Sequence, residues 1–225
     1  KNIGKNVQVD IFFHHFNVQV FKKLINDSNG NYTKYIIMPT NLNDVVDTIK
    51  TLPVSDVIIL DQTNSDLKMF PAIYQNHQKD IYEGLMKGKS RLSKYKKLIL
   101  IFPGFREPLG MKSGFELFCQ AYSFEYEIIS DFSNQSIALG DLYIIPHDRD
   151  LLLVIENAIN RNLKLGEDFG IISYNETPLK KIAANGITTI STNFELMGKI
   201  LADMVLKGTK EQIENRSALI LRNSL

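Results

Sequence analysis

The chain has 225 residues, with 26 basic side chains against 25 acidic ones and a formal charge of +1 at neutral pH, so it carries no field suited to a nucleic-acid backbone. A hydrophobic share of 44% is ample for a packed core, in one large domain or two small ones. The lone Cys119 excludes a disulfide framework within the chain. No apolar run reaches the roughly 18 residues of a membrane span and no signal-peptide pattern is present, so a cytoplasmic location is the default expectation.

Apolar runs bounded by turn residues predict strands at Val7–Phe13, Tyr35–Met38, Val57–Leu60, Leu98–Phe102, Tyr126–Ile129, Leu142–Ile145, Phe169–Ile172 and Ile187–Ile190. Helical spacing of apolar residues predicts helices over Val18–Ile25, Val45–Leu52, Ile81–Met86, Phe115–Tyr122, Leu151–Ile159 and Phe194–Leu206. Such alternation gives an α/β fold, with parallel sheets flanked by helices on both faces. Asn43, Asp148 and Asn193 stand where helix N-caps are needed, and Gly166 stands where a helix stops. Cys119 falls on the apolar face of its helix, the setting of a core thiol.

Gly84-Leu-Met-Lys-Gly88-Lys89-Ser90 has the flavour of a phosphate loop, but it has three residues between its glycines where the motif needs four, and it follows a helix. The basic residues from Lys87 to Lys97 read as a solvated face. Phe12-Phe-His14-His15-Phe16 places imidazoles and rings at a strand end, where rings pack on sugar C–H faces and imidazoles bond hydroxyls. A Phe cluster in the core with solvent-facing histidines fits that stretch equally. No HExxH or cysteine spacing supports a metal, and no cofactor loop is present. Nor does any nucleophile–base order or paired carboxylate support catalysis.

The richest stretch is Gly170-Ile-Ile-Ser-Tyr174-Asn175-Glu176-Thr-Pro178, an apolar strand with a polar tip, followed by Ile187-Thr-Thr-Ile-Ser-Thr-Asn-Phe-Glu-Leu-Met-Gly198 and Leu219-Ile-Leu-Arg-Asn-Ser224. A polar tip at the carboxyl end of a parallel strand is where open α/β folds bind small molecules. This order resembles the effector-binding domain of the lactose-repressor family: a strand ending Gly-Phe-Asp-Asp-Thr, a Thr-Thr strand, a Met-Gly helix and a final Arg-Glu-Ser strand. Regulators with a winged-helix DNA-binding module of the GntR type, similar to the arabinose-responsive repressor, carry the same domain.

The resemblance covers essentially the whole chain and implies a periplasmic-binding-protein-like fold of two lobes with a ligand cleft between them. It assigns residues 1–97 with 191–207 to one lobe and 98–190 with 208–225 to the other. It also implies that Lys1–Asn6 are the tail of a first helix, and that a preceding central strand lies upstream together with any DNA-binding module. Among site residues, it sets Asn175 at the family's first tip carboxylate, with Tyr174 beside it. His147 stands at the family's pocket Asn with Asp148 next, and Arg106 or Lys112 replaces a sugar-forking Arg. Gln75 and Asn76 stand at a polar pocket position of the first lobe, and His14, His15 and Phe16 line a strand end. Asn175 equally suits an Asx turn, and Asp148 a helix cap. The implied function is non-catalytic sensing of a small neutral monosaccharide by a homodimer whose closure controls operator DNA binding through a domain outside this chain. A periplasmic-type transport binding protein and a sugar-acting α/β enzyme are the alternatives.

Overall fold

The computed structural model describes Gly4, residues 7–104 and residues 106–225. The chain divides into two compact units, one of residues up to Asn76 with Asn193–Asn215, the other of His77–Thr192 with Arg216–Leu225.

In the first unit, β1 (Tyr35–Ile37), β2 (Val57–Asp61), β3 (Ala72–Tyr74) and β9 (Gln212–Glu214) form one parallel sheet in the order β1-β2-β3-β9. Side chains alternate across it. Val57 and Ile59 pack with Phe21 and Ile25 of α1 (Val18–Ser28), Ile49 of α2 (Val46–Ile49), Leu67 and Phe70. Ile58 and Ile73 pack on the opposite face with Met197 and Met204 of α7 (Phe194–Lys207). This period of two is why the whole Val57–Ile59 run must be apolar: each face meets a helical layer. α1 starts where the Asn17 side chain accepts from the amides of Gln19 and Val20, and α7 where Asn193 accepts from Leu196.

The second unit is built on β10-β8-β7-β6-β4-β5: β4 (Lys97–Ile101), β5 (Glu125–Ile129), β6 (Asp141–Ile145), β7 (Gly170–Tyr174) and β8 (Thr188–Thr192) run parallel, and β10 (Ser217–Ile220) pairs antiparallel with β8. Leu98, Leu100, Leu142, Ile144 and Ile172 face α3 (His77–Leu92) and α4 (Leu109–Tyr122), where Ile81, Leu85, Phe115 and Phe118 complete a core that also buries Cys119. Ile99, Ile101, Tyr143, Ile145 and Ile171 face Leu151, Val154 and Ala158 of α5 (Asp148–Asn160). Fully burying each such Leu, Ile or Phe contributes about 1.5–3 kcal/mol. The helices α3 and α4 pack at close range because Gly114 has no side chain: a Cβ there would lie 2.2 Å from the Gln78 carbonyl oxygen.

Several sequence expectations are corrected. Val7–Phe13 is not a buried strand: it pairs with neither sheet, and Ile11 and Phe13 are 72% and 70% exposed. A strand exists by its ladder, and β1 already pairs directly with β2, Tyr35 opposite Val57. The reading of Lys1–Asn6 as a helix tail falls, Gly4 apart, outside the described residues. α2 begins at Val46 without help from Asn43, Asp44 taking a left-handed φ of 57° before it. His147, not Asp148, occupies the N-cap position of α5. That helix ends at Asn160, because Asn162 already turns left-handed at φ 55°; Gly166 serves a later turn at φ 83°, its amide bonded to the Phe169 carbonyl. The final strand closes at Ile220, before Leu221-Arg-Asn-Ser224. By its packing α3 belongs to the second unit, and residues 208–215 to the first.

Candidate functional site

In the second unit the chain leaves β4 for β5 on one side and returns to β6 on the other, so a topological switch point opens at the carboxyl ends of β4 and β6. Three loops meet along the adjacent strand ends of β4, β6 and β7.

The loop after β4 contributes Glu107. Its buried carboxylate accepts from the backbone amides of Gly104 at 3.0 Å and Arg106 at 3.3 Å, and is hydrogen bonded to His147 Nε2. Burial alone would raise this carboxyl, but His147 and the backbone amides of Glu107 itself and Arg106 outweigh it and hold Glu107 below the usual carboxylate range. His147, 47% exposed in its side chain, follows β6 in an extended conformation. Asp148 then opens α5, where a carboxylate complements the helix N-terminus.

From the loop after β7 comes Asn175, left-handed at φ 59°, a conformation Asn tolerates better than most residues. Its amide donates to the Ile190 carbonyl, 2.9 Å, and its buried side-chain Oδ1 has no hydrogen-bond partner. Glu176 beside it accepts two bonds from the Arg222 fork, both 2.9 Å, and one from the Thr189 hydroxyl at 2.6 Å. Burial pushes the Glu176 carboxyl up, Arg222 and Thr189 pull it further down, and the result lies below its ordinary value. Thr177 caps α6 (Pro178–Ile182) with Pro178 at its first position. Lys180 on that turn is 2% exposed and directs its ammonium back to the Asp148 carboxylate, 2.9 Å, and to the carbonyls of Tyr174 and Asn175 at 2.8 and 3.1 Å.

Next to this cluster a depression of about 790 Å³ is bordered by Pro103, Ser130, Asp131, His147, Asp148 and Arg149. The Ser133 amide first, then the Ser133 and Ser130 hydroxyls and the Arg149 charge, hold Asp131 below its usual range.

Of the residues singled out from the sequence, His147, Asp148 and Asn175 come together here, and Arg106 joins through its backbone amide. Tyr174 does not share their setting: its ring is buried in the core and its hydroxyl lies 3.2 Å from His77 Nδ1. Lys112 sits on α4 at 3.9 Å from Glu116. In the first unit, Gln75 is buried at the carboxyl end of β3 and donates to Asp61 at the end of β2, with Asn76 next in the chain. His14, His15 and Phe16 form a turn before α1 rather than a strand end; His15 and Phe16 are left-handed, and the His14 ring stands edge-on to Phe21 at 5.4 Å. Glu107, Lys180 and Arg222 were not singled out from the sequence. The Thr177-Pro178 helix start could have pointed to Lys180, but nothing local marks the partners of the other two.

Among the described residues no helix is long and apolar enough to cross a membrane, and no group of three or more His, Cys, Asp or Glu could hold a metal ion.

Two parallel α/β units, between which the chain passes after Asn76, Thr192 and Asn215, define a periplasmic-binding-protein-like fold. Residues 119–225 match the family model of the periplasmic binding protein-like domain. No curated protein matches the chain. Among solved structures it is similar to a LacI family transcriptional regulator from Lactobacillus casei with bound sucrose, at 14% identity and a TM-score of 0.74, covering 97% of this chain and 88% of that one. The same regulator with bound glucose gives 15% identity, a TM-score of 0.73 and the same coverage. The lac repressor dimer bound to operator and the anti-inducer ONPF gives 17% identity and a TM-score of 0.72, over 92% of this chain and 68% of that one. The fold is thus that of the LacI-family regulators, with parallel sheets flanked by helices.

Proposed function

We propose that this chain is the ligand-sensing domain of a transcriptional regulator and that it binds a small neutral sugar at the strand ends around Asn175, His147 and Asp148. The observation that carries this reading is the charge pairing of the site. Asp148 is paired with Lys180 and Glu176 with Arg222, Glu107 is hydrogen bonded to His147, and the buried Asn175 Oδ1 acceptor has no partner. The paired carboxylates thus offer hydrogen bonds rather than free charge, on the border of a depression that Asp131 and Arg149 also line. That favours hydroxyl groups, and the solved relatives with sucrose and glucose bound point the same way.

The reading is one of binding rather than turnover, since the carboxylates that could act as acid or base are held by partners. Sensing then works by differential affinity: a sugar that prefers one conformation shifts the population towards it, and operator DNA responds through a module outside this chain, in a homodimer. Arg106, Tyr174 and Lys112 remain proposed contributors in this unit; Gln75, Asn76, His14, His15 and Phe16 are proposed ligand contacts of the first unit taken by itself. A transport binding protein is the second reading, favoured by the family-model description for residues 119–225.

Thermal unfolding against glucose, sucrose, pentoses and the sugar phosphates tests the proposal. A neutral sugar that raises the melting temperature, while its phosphate does not, supports it; stabilisation by phosphates alone, or turnover of the sugar, contradicts it.

A further inference from the structure

We propose that Lys180 is the positioning residue of this site: its ammonium sets the spacing between the tip of β7 and the start of α5, so that Asn175 and Asp148 meet the same ligand. The inference rests on the sugar site proposed above. An ammonium has three hydrogens to donate, and all three have acceptors here, the Tyr174 carbonyl at 2.8 Å, the Asn175 carbonyl at 3.1 Å and Asp148 Oδ1 at 2.9 Å. With 2% of the residue exposed, Lys180 has little water to fall back on, so its donors are satisfied by these partners.

The three acceptors come from two different strand ends, and without the cation two carbonyls and a carboxylate would face one another. Repulsion would then separate the β7 tip from α5. On the far side of α5's first turn, His147 is held by Glu107 from the loop after β4. Residues 147 and 148 are therefore fixed from opposite directions, by loops that the β7-β6-β4 order makes neighbours. The clamp leaves the Asp148 side chain 52% exposed while paired, and beside it the buried Asn175 Oδ1 acceptor has no partner.

Hydrogen exchange of the full chain tests the clamp without any ligand. In Lys180→Met, exchange of the amides of residues 175–177 and 148–151 accelerates by about tenfold or more, while β4 and β5 keep their protection. Unchanged exchange in both segments of the folded variant overturns the proposal. Should Lys180→Met fail to fold, Asp148→Asn breaks the clamp from its exposed end: faster exchange at 175–177, on a different element, supports it, and no change there refutes it. Binding of glucose and sucrose is the second arm. If either stabilises the parent chain, Lys180→Met weakens its apparent affinity by about tenfold and Lys180→Arg restores part of the loss; affinity equal to the parent's contradicts the positioning role. A parent stabilised by no sugar refutes the sugar reading, whereas the exchange arm alone decides the clamp, so the two failures are distinct.

Discussion

Arg222 and Glu176 meet through two parallel hydrogen bonds, Nη1 to Oε2 and Nη2 to Oε1, each 2.9 Å, and this fork joins the chain after β10 to the tip of β7. Arg222 also donates to the Ile187 carbonyl at 2.7 Å, so it holds the start of β8 as well. Both side chains are largely buried, and breaking a buried pair costs more than a surface pair returns. Arg222→Met is expected to lower stability by about 2–3 kcal/mol, measured by denaturant unfolding. A loss within the ordinary range of a surface substitution would show the fork to be dispensable.

The same pair sets a pH dependence. Glu176 and Glu107 have folded-state pKa values below their ordinary ones. A carboxyl lowered in this way contributes stability above its unfolded value, about 4.3, and loses it as the pH falls through the folded value. Unfolding free energy is therefore expected to decline on acidification from about pH 5. The stability gap between the parent chain and Glu176→Gln should close over the same interval. A gap that is constant down to pH 3 would contradict the assignment.

Gly114 tests the α3–α4 contact. Its missing side chain leaves room for the Gln78 carbonyl at a distance no Cβ tolerates, and that neighbour is backbone and cannot rotate away. Gly114→Ala is expected to cost about 1–3 kcal/mol despite the better helix propensity of Ala. A more stable Gly114→Ala variant would show that the helices separate freely.

Burial pushes the Cys119 thiol up to about 12. The folded chain should therefore resist thiol labelling at pH 8, and labelling in mild denaturant should track unfolding of the second unit. Rapid labelling under native conditions would place Cys119 outside the core described here.

Charged substitutions at Ile11 and Phe13 separate the structure from the sequence expectation for that segment. A buried strand would lose several kcal/mol to Ile11→Lys, whereas the exposed segment seen here should lose no more than about 0.5 kcal/mol.

That segment shows where sequence reading stops. Val57–Ile59 and Leu142–Ile145 were legible because strands covered on both faces must be apolar throughout, and their neighbours supply that cover. Val7–Phe13, with Gln8 and Asp10 between its apolar residues, also has a strand's composition, but a strand needs a partner and pairing is not written in one segment. β3 and β9, three residues each, are too short to show a period. At the site, Asn175 and His147 were legible as polar residues at strand ends. Lys180 was not: a lysine in a polar stretch is solvated far more often than buried, and its three acceptors are defined only when α6 folds back under β7. Arg222 stood in a recognised motif, yet its partner lies 46 residues away.

The most direct test of the account is thermal unfolding of the full chain with neutral sugars, repeated in His147→Ala and Asn175→Ala. At a hundred times its dissociation constant a true ligand adds about 2.7 kcal/mol, a rise of roughly 5–10 °C for a chain of this size. The account predicts such a rise with a neutral sugar, lost in both variants. A rise that survives both substitutions would place the ligand elsewhere, and stabilisation by sugar phosphates in preference to neutral sugars would contradict the charge pairing on which the proposal stands.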